Sequence, residues 1–272
     1  MSSARPSFFI TKMQGAGNSF LLTTEIVPLA EKAKIAKELC SLNFGIGAEG
    51  MVFLKSEKSE IIEWDFYNSD GSMAEFCGNA ARCVAIYIFD KNPDVLKIEI
   101  KTQAGSVHCA VKDSKTVEVE MPKVEWKSKA LVTPFWPQPV VWINTGVPHI
   151  VIEVAAFEDL KKFKKEAAQI RAWSQLGAMG SNVTFVFMHS SEKASAVTFE
   201  RGVEDFTLAC GTGAVAAAWF IMEKNKTNQC LVKMPGGDLH VSLVNGKTLM
   251  RGEAYKIADL TLSSELLNKG SV

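Results

Sequence analysis

The chain has 272 residues, 47% hydrophobic and 22% charged, close to an average soluble globular protein, so a sizeable core can be buried in one large domain or two. Thirty Lys and Arg balance thirty Asp and Glu, and no basic stripe interleaved with aromatics occurs, which excludes the footprint of a nucleic-acid binder and favours a small polar ligand. No apolar run approaches the roughly 18 residues of a membrane span and Met1 to Phe9 lack a leader pattern, so we expect no membrane partner and a cytoplasmic location.

In chain order, Phe8 to Met13 and Phe20 to Thr24 read as strands, and Pro28 opens an amphipathic helix from Leu29 to about Leu42. Ile61 to Tyr67 is a strand entering a turn at Asn68-Ser69-Asp70-Gly71-Ser72, and a second helix runs from about Gly78 to Phe89. Lys97 to Thr102, Val107 to Lys112 and Thr116 to Met121 alternate with period two, as in an antiparallel meander. Lys123 to Gln138 is interrupted by proline and reads as a connection between two lobes. Beyond it, Val140 to Asn144 and Ile150 to Val154 are strands, and Phe157 to Leu176 is a helix whose run Lys161 to Lys165 is a solvated face. Asn182 to Met188 and Ala196 to Arg201 are strands, Gly211 to about Met222 is an apolar helix, and short strands continue to Leu262.

The second half replays the first. Cys77-Gly78-Asn79-Ala80-Ala81 matches Cys210-Gly211-Thr212-Gly213-Ala214 at an offset of 133 residues, near half the chain, and the turn Gly15 to Phe20 meets Thr145 to Ile150. Two similar lobes related by a pseudo-twofold axis follow as the expectation. We place them at residues 1–125, with Cys77, and 126–262, with Cys210, allow the last strands to cross back to the first lobe, and leave 263–272 as a tail.

Six cysteines (Cys40, Cys77, Cys83, Cys109, Cys210, Cys230) are too few for a disulfide scaffold and form no zinc spacing, so no metal site is expected. Most read as small buried hydrophobes, Cys83 among them. Cys77 and Cys210 differ, because each opens an apolar helix, where the N-terminal partial charge favours a thiolate and the unpaired N–H groups suit a carboxylate. A pseudo-twofold axis would set one thiol on each face of one substrate carbon: one removes the α-proton, the other returns a proton, and the helix starts stabilise the charge that develops.

The blocks Lys12 to Asn18, Gly45 to Gly50, Tyr67 to Ser72, Glu75 to Asn79, Pro148-His149, Asn182-Val183, Glu200 to Gly202 and Ala209 to Gly213, in order over nearly the whole chain, resemble the signatures of the diaminopimelate epimerase family. The resemblance implies an α/β (α+β) fold of two pseudo-twofold-related lobes, each a mostly antiparallel curved sheet around a central helix, with substrate in the cleft between them. It implies interconversion of LL- and meso-diaminopimelate with no cofactor, neither pyridoxal phosphate nor metal, in the lysine and peptidoglycan precursor pathway. By position, it makes Cys77 and Cys210 the acid/base pair with His149 and Glu200 beside the reacting centre. Gly78, Asn79, Gly211 and Thr212 would then hold the reacting carboxylate, and Asn18, Asn68, Asn182 and Arg201 the rest of the amino-acid substrate. A homodimer stays open as the assembly.

Several positions depart from the family pattern. Val147 stands where an Asn usually binds the distal end of the substrate, the spacing from Glu200 to Cys210 is one residue longer, and Gln14, Ser19 and Glu49 replace the commoner His, Asp and Asp. We therefore expect a displaced or more mobile loop before Cys210 and relaxed specificity, with glutamate as a secondary substrate. Proline or hydroxyproline racemisation is an alternative that the Asn-rich blocks disfavour. A Cys210-His149 hydrolase would leave Cys77 and the repeat unexplained, and intact thiols at both positions argue against a non-catalytic metabolite binder.

Overall fold

Two stretches, Gly78–Lys91 and Gly211–Asn225, are apolar on nearly every side, and such helices are stable only inside other structure. The computed structural model describes residues 8–56, 59–103, 105–158 and 160–262, without the Lys161 side chain. Its contacts divide the chain into two compact units, one running up to Glu118 and resuming from Ala254, the other Val119–Glu253.

The first unit holds β1 (Phe8–Gly15), β2 (Asn18–Thr23), α1 (Leu29–Cys40), β3 (Gly50–Leu54), β4 (Ile61–Asn68), α2 (Gly78–Lys91), β5 (Lys97–Thr102) and β6 (Gly105–Val111). The boundary falls inside β7 (Thr116–Glu120). The second unit holds β8 (Glu125–Leu131), β9 (Val140–Asn144), β10 (Pro148–Glu153), α3 (Lys164–Arg171), β11 (Asn182–Ser190), β12 (Lys193–Glu200), β13 (Asp205–Phe206), α4 (Gly211–Asn225), β14 (Gln229–Met234), β15 (Gly237–Val244) and β16 (Lys247–Glu253). The chain then returns to the first unit as β17 (Tyr255–Leu262), antiparallel to β1.

The repeat read from the motifs extends to strand order. From β1 to β6 successive neighbours pair antiparallel, parallel, antiparallel, parallel and antiparallel. The series β9, β10, β11, β12, β14, β15 repeats those five relations. Each sheet meets one central helix: α2 packs on β1, β2, β6 and β17, and α4 on β9, β10, β11, β12, β14 and β15. Gly78 through Ile88 are all buried, as are Gly213 through Ala218. The fold is thus mixed α/β, mostly strands, as the family resemblance implies. Among the described residues no helix is long and apolar enough to cross a membrane.

Three stretches differ from the sequence expectation. The helix expected over Phe157 to Leu176 is a 3-10 turn at Leu160–Phe163, α3, and a second 3-10 turn at Ser174–Leu176. The rings of Phe163 and Trp173 pack against Trp136 and Phe135, and Trp173 takes an extended conformation at φ −65°, ψ 123°, so aromatic packing overrides the helical spacing. Strand β3 went unread because it is buried at every position and shows no alternation. Strand β8, in the presumed connection, is mostly exposed and pairs with β9 through two register shifts, so its pattern is weak.

Candidate active site

In the first unit, the β1–β2 hairpin turns through Ala16 (φ 53°) and Gly17 (φ 87°), two successive left-handed residues that match the twist of the strands. The Gly17 N–H donates to Gln14 Oε1 at 3.0 Å, so Gln14 closes the turn that presents Asn18. Ser19 donates both its N–H and its hydroxyl to Glu49 Oε2, at 2.6 and 2.8 Å. The two departures at Ser19 and Glu49 therefore complement each other: a neutral donor faces a longer carboxylate. A Cβ on Gly15 would stand 3.2 Å from the Asn79 carbonyl and 3.4 Å from Cys83 Sγ, so the hairpin lies directly on the start of α2. There the Asn79 amide donates to Asn18 Oδ1, and Arg82 Nη2 donates to Asn79 Oδ1 at 2.9 Å. Asn68, exposed at the end of β4, donates to Ser72 Oγ at 3.0 Å across a turn closed by Asp70. Its neighbour Ser69 donates to the Glu49 carbonyl, so Glu49 ties the Asn68 turn to the Asn18 hairpin.

In the second unit, His149 on β10 is fully buried, with Nδ1 2.9 Å from Thr184 Oγ1 and Nε2 3.0 Å from Thr212 Oγ1. Hydrogen bonding settles its tautomer. The Arg201 N–H donates to Asn182 Oδ1 at 2.8 Å, which turns the Asn182 NH2 toward His149 Nε2 at 3.3 Å. Nε2 is then an acceptor, Nδ1 carries the proton, and Nδ1–H donates to Thr184, whose oxygen lies 3.0 Å from that of Thr198. Cys210 Sγ is 3.4 Å from Thr212 Oγ1, and Thr145 Oγ1 donates to the Thr212 carbonyl at 2.9 Å. His149, Thr212, Cys210 and Asn182 thus form one connected group, with the backbone of Arg201 as an end. Val147 is half-buried; its carbonyl accepts the Thr145 N–H at 3.1 Å, and its side chain has no polar atom.

Both thiols sit as N-cap residues in extended conformation, Cys77 at φ −147° and Cys210 at φ −126°, and neither caps its helix by a side-chain hydrogen bond. The first helical bonds run from Ala81 to the Cys77 carbonyl and from Ala214 to the Cys210 carbonyl. The earlier N–H groups point out of each helix, the arrangement that takes an anion. Burial pushes the His149 pKa down to about 3, helped by the Arg201 charge, so the imidazole is neutral at physiological pH. Burial raises the Glu200 carboxyl, against hydrogen bonds from Thr207 and Cys210. The remaining cysteines are buried: burial pushes Cys40, Cys109 and Cys230 up to about 12 and Cys83 also upward, leaving them inert. Among the described residues no group of three or more His, Cys, Asp or Glu is placed to hold a metal ion.

The loop before Cys210 makes its own contacts. Glu204, left-handed at φ 56°, pairs with Arg171 at 2.7 Å, Asp205 pairs with Lys164 at 2.6 Å, and Phe206 packs its ring against Phe185 and Phe199. Asp205 and Phe206 add the short strand β13 to β12. Sequence reading gave no role to Arg82, Thr184 or Thr198; only a buried charge or hydroxyl in an otherwise apolar run could have signalled them.

The family model for diaminopimelate epimerase matches residues 10–127 and 141–257. The chain is 36% identical to the diaminopimelate epimerase of Methanocella arvoryzae, over 91% of this chain and 94% of that protein. It is 31% identical to the one of Aquifex aeolicus, over 94% and 98%. Among solved structures, a phenazine biosynthesis protein of the PhzF family from Enterococcus faecalis superposes with a TM-score of 0.71 at 13% identity, covering 95% of this chain and all of that one. A hydroxyproline epimerase from Agrobacterium vitis gives 0.68 at 13% identity, covering 96% and 92%. The structural likenesses share the fold alone, whereas the sequence matches span both repeat units and every motif above: the chain belongs to the diaminopimelate epimerase family.

Proposed function

We propose that this protein interconverts LL- and meso-diaminopimelate by cofactor-independent two-base proton transfer, in the supply of lysine and peptidoglycan precursors. The observation that carries this reading is the duplicated site, a thiol opening a buried helix in each of two repeat units of one topology. One thiolate takes the α-proton and the other thiol returns one. First-turn N–H groups stabilise the negative charge that develops on the carboxylate, which supplies the larger part of the rate because an amino-acid α-proton is far less acidic than a thiol. Glu200 accepts from Cys210 and so serves as the reservoir for its proton, while Thr212, whose hydroxyl donates to His149 Nε2, stands at Cys210 Sγ as an acceptor. A Cys-His hydrolase is disfavoured because both ring nitrogens of His149 are engaged by Thr184, Thr212 and Asn182. Incubation with LL-diaminopimelate in D₂O tests the proposal. Deuterium should enter the α-carbon, and Cys77→Ala or Cys210→Ala should abolish inversion; absence of incorporation by the wild type would overturn it.

Val147 supports a second, narrower reading, relaxed specificity. A missing hydrogen bond to a charged group removes about 1.5–3 kcal/mol, roughly tenfold to a hundredfold in discrimination, which brings glutamate within reach as a secondary substrate. Glutamate racemisation should be detectable and should fall on Val147→Asn; no turnover in either protein rejects this reading.

A further inference from the structure

Among the described residues the largest fully buried side chain belongs to Arg82, one turn inside α2 from Cys77. Burying a guanidinium is costly unless its surroundings use the charge. Two features do so. Arginine only donates, so the Asn79 oxygen must face it; the Asn79 NH2 is thereby turned to Asn18, whose oxygen must accept. The group left to Asn18 is its NH2, a donor that matches a ligand carboxylate. Secondly, the thiols of Cys83, Cys77 and Cys109 are among the groups acting on Arg82, and of these Cys83 and Cys109 are buried while Cys77 is partly exposed. Burial keeps Cys83 and Cys109 protonated, which leaves Cys77 as the thiol able to carry negative charge beside the cation.

We propose that Arg82 is a positioning residue: its cation sets the direction of the Asn79–Asn18 amide chain toward a bound carboxylate and supports the Cys77 thiolate. The carboxylate half of this rests on the epimerase reading, and the thiolate half does not. The test pairs steady-state kinetics on LL-diaminopimelate with iodoacetamide labelling of Cys77, followed by peptide mapping at about pH 7.5. In Arg82→Met the labelling of Cys77 should slow about tenfold, because its thiolate loses a nearby cation. KM should rise roughly tenfold, since a charge-ordered hydrogen bond is lost. Arg82→Lys keeps a charge but not the planar fork, so labelling should stay within about twofold of wild type while KM still rises. Asn79→Asp guards against a fold defect: it keeps an acceptor for Arg82, so Tm should not fall, yet it cannot donate to Asn18 and KM should rise. Unchanged labelling and KM in folded Arg82→Met, or an unchanged KM in Asn79→Asp, overturns the proposal. Should the wild type not turn over diaminopimelate, the epimerase reading fails by itself, and the labelling rates still decide the role of Arg82 at Cys77.

Discussion

His149 shows how one buried side chain couples chemistry to stability. Its folded pKa near 3 lies below the ordinary 6.5, so as pH falls the unfolded chain takes up the proton first. Stability should therefore be full above about pH 6.5 and decline from there toward pH 3, by up to ~1.4 kcal/mol per pH unit. Urea unfolding at several pH values, compared with His149→Gln, isolates this contribution: the stability of the wild type relative to the variant should fall as pH drops from about 6.5 toward 3, and parallel pH profiles would contradict it. Glu200 acts in the opposite sense, because a raised carboxyl pKa gives stability that is present below 4.5 and lost as pH rises through the folded value. Gly213 is the tightest point of the second site. A Cβ there would stand 2.2 Å from Thr198 Oγ1 and 3.2 Å from Thr184 Oγ1, the hydroxyl that accepts from His149. Gly213→Ala should cost about 1–3 kcal/mol as overpacking and lower kcat along with Tm. A Tm and kcat equal to wild type would show that the hydroxyl pair yields freely.

At the scale of elements, the two helix starts and the loop before Cys210 carry the site. Cys77 and Cys210 occupy a position where Ser, Thr, Asp or Asn would cap the helix, and a thiol there leaves the first N–H groups to a ligand. The lengthened loop is held by an aromatic plug more than by its ion pairs. Lys164 and Asp205 are each about half exposed, at 52% of the side chain, so Lys164→Ala should change stability by under about 1 kcal/mol. Phe206 touches Phe185 and Phe199, and Phe206→Ala should cost about 2 kcal/mol, half the usual penalty for a fully buried ring. Thermal unfolding of both variants checks the order; the reverse ranking would mean that the charges hold the loop. The same aromatic cluster explains why α3 is short: Phe163 stacks on Phe185 and packs on Trp136, and a helix continuous through Trp173 would have to give up the extended conformation found there.

For the whole molecule, the chain crosses between units twice, at β7 and at Ala254, so the last strand completes the unit that began the chain. β17 pairs with β1 from Phe8 to Gln14, and β1 carries the hairpin that presents Asn18. A chain ending at Glu253 should thus lose amide-exchange protection in β1 while β14, β15 and β16 keep theirs. Equal loss in both sets would show that the two units unfold as one.

Some of this was legible in the residues. The repeat, the two thiols at helix starts, most strand positions and the family blocks depend on local order along the chain, since periodicity, turn residues and motif spacing are properties of neighbours. Tertiary structure decided the rest, for one physical reason: hydrogen-bond direction and burial are set by groups distant in sequence. Arg82 orders Asn79 and through it Asn18, 61 residues away, and the Arg201 backbone orders Asn182 and through it His149. Ser19 and Glu49 read separately as departures from the family, and became one compensated pair only when β2 and β3 brought them together. The two thiols and Glu200 were visible from sequence, whereas the buried cation near Cys77 and the burial that raises the Glu200 carboxyl were not.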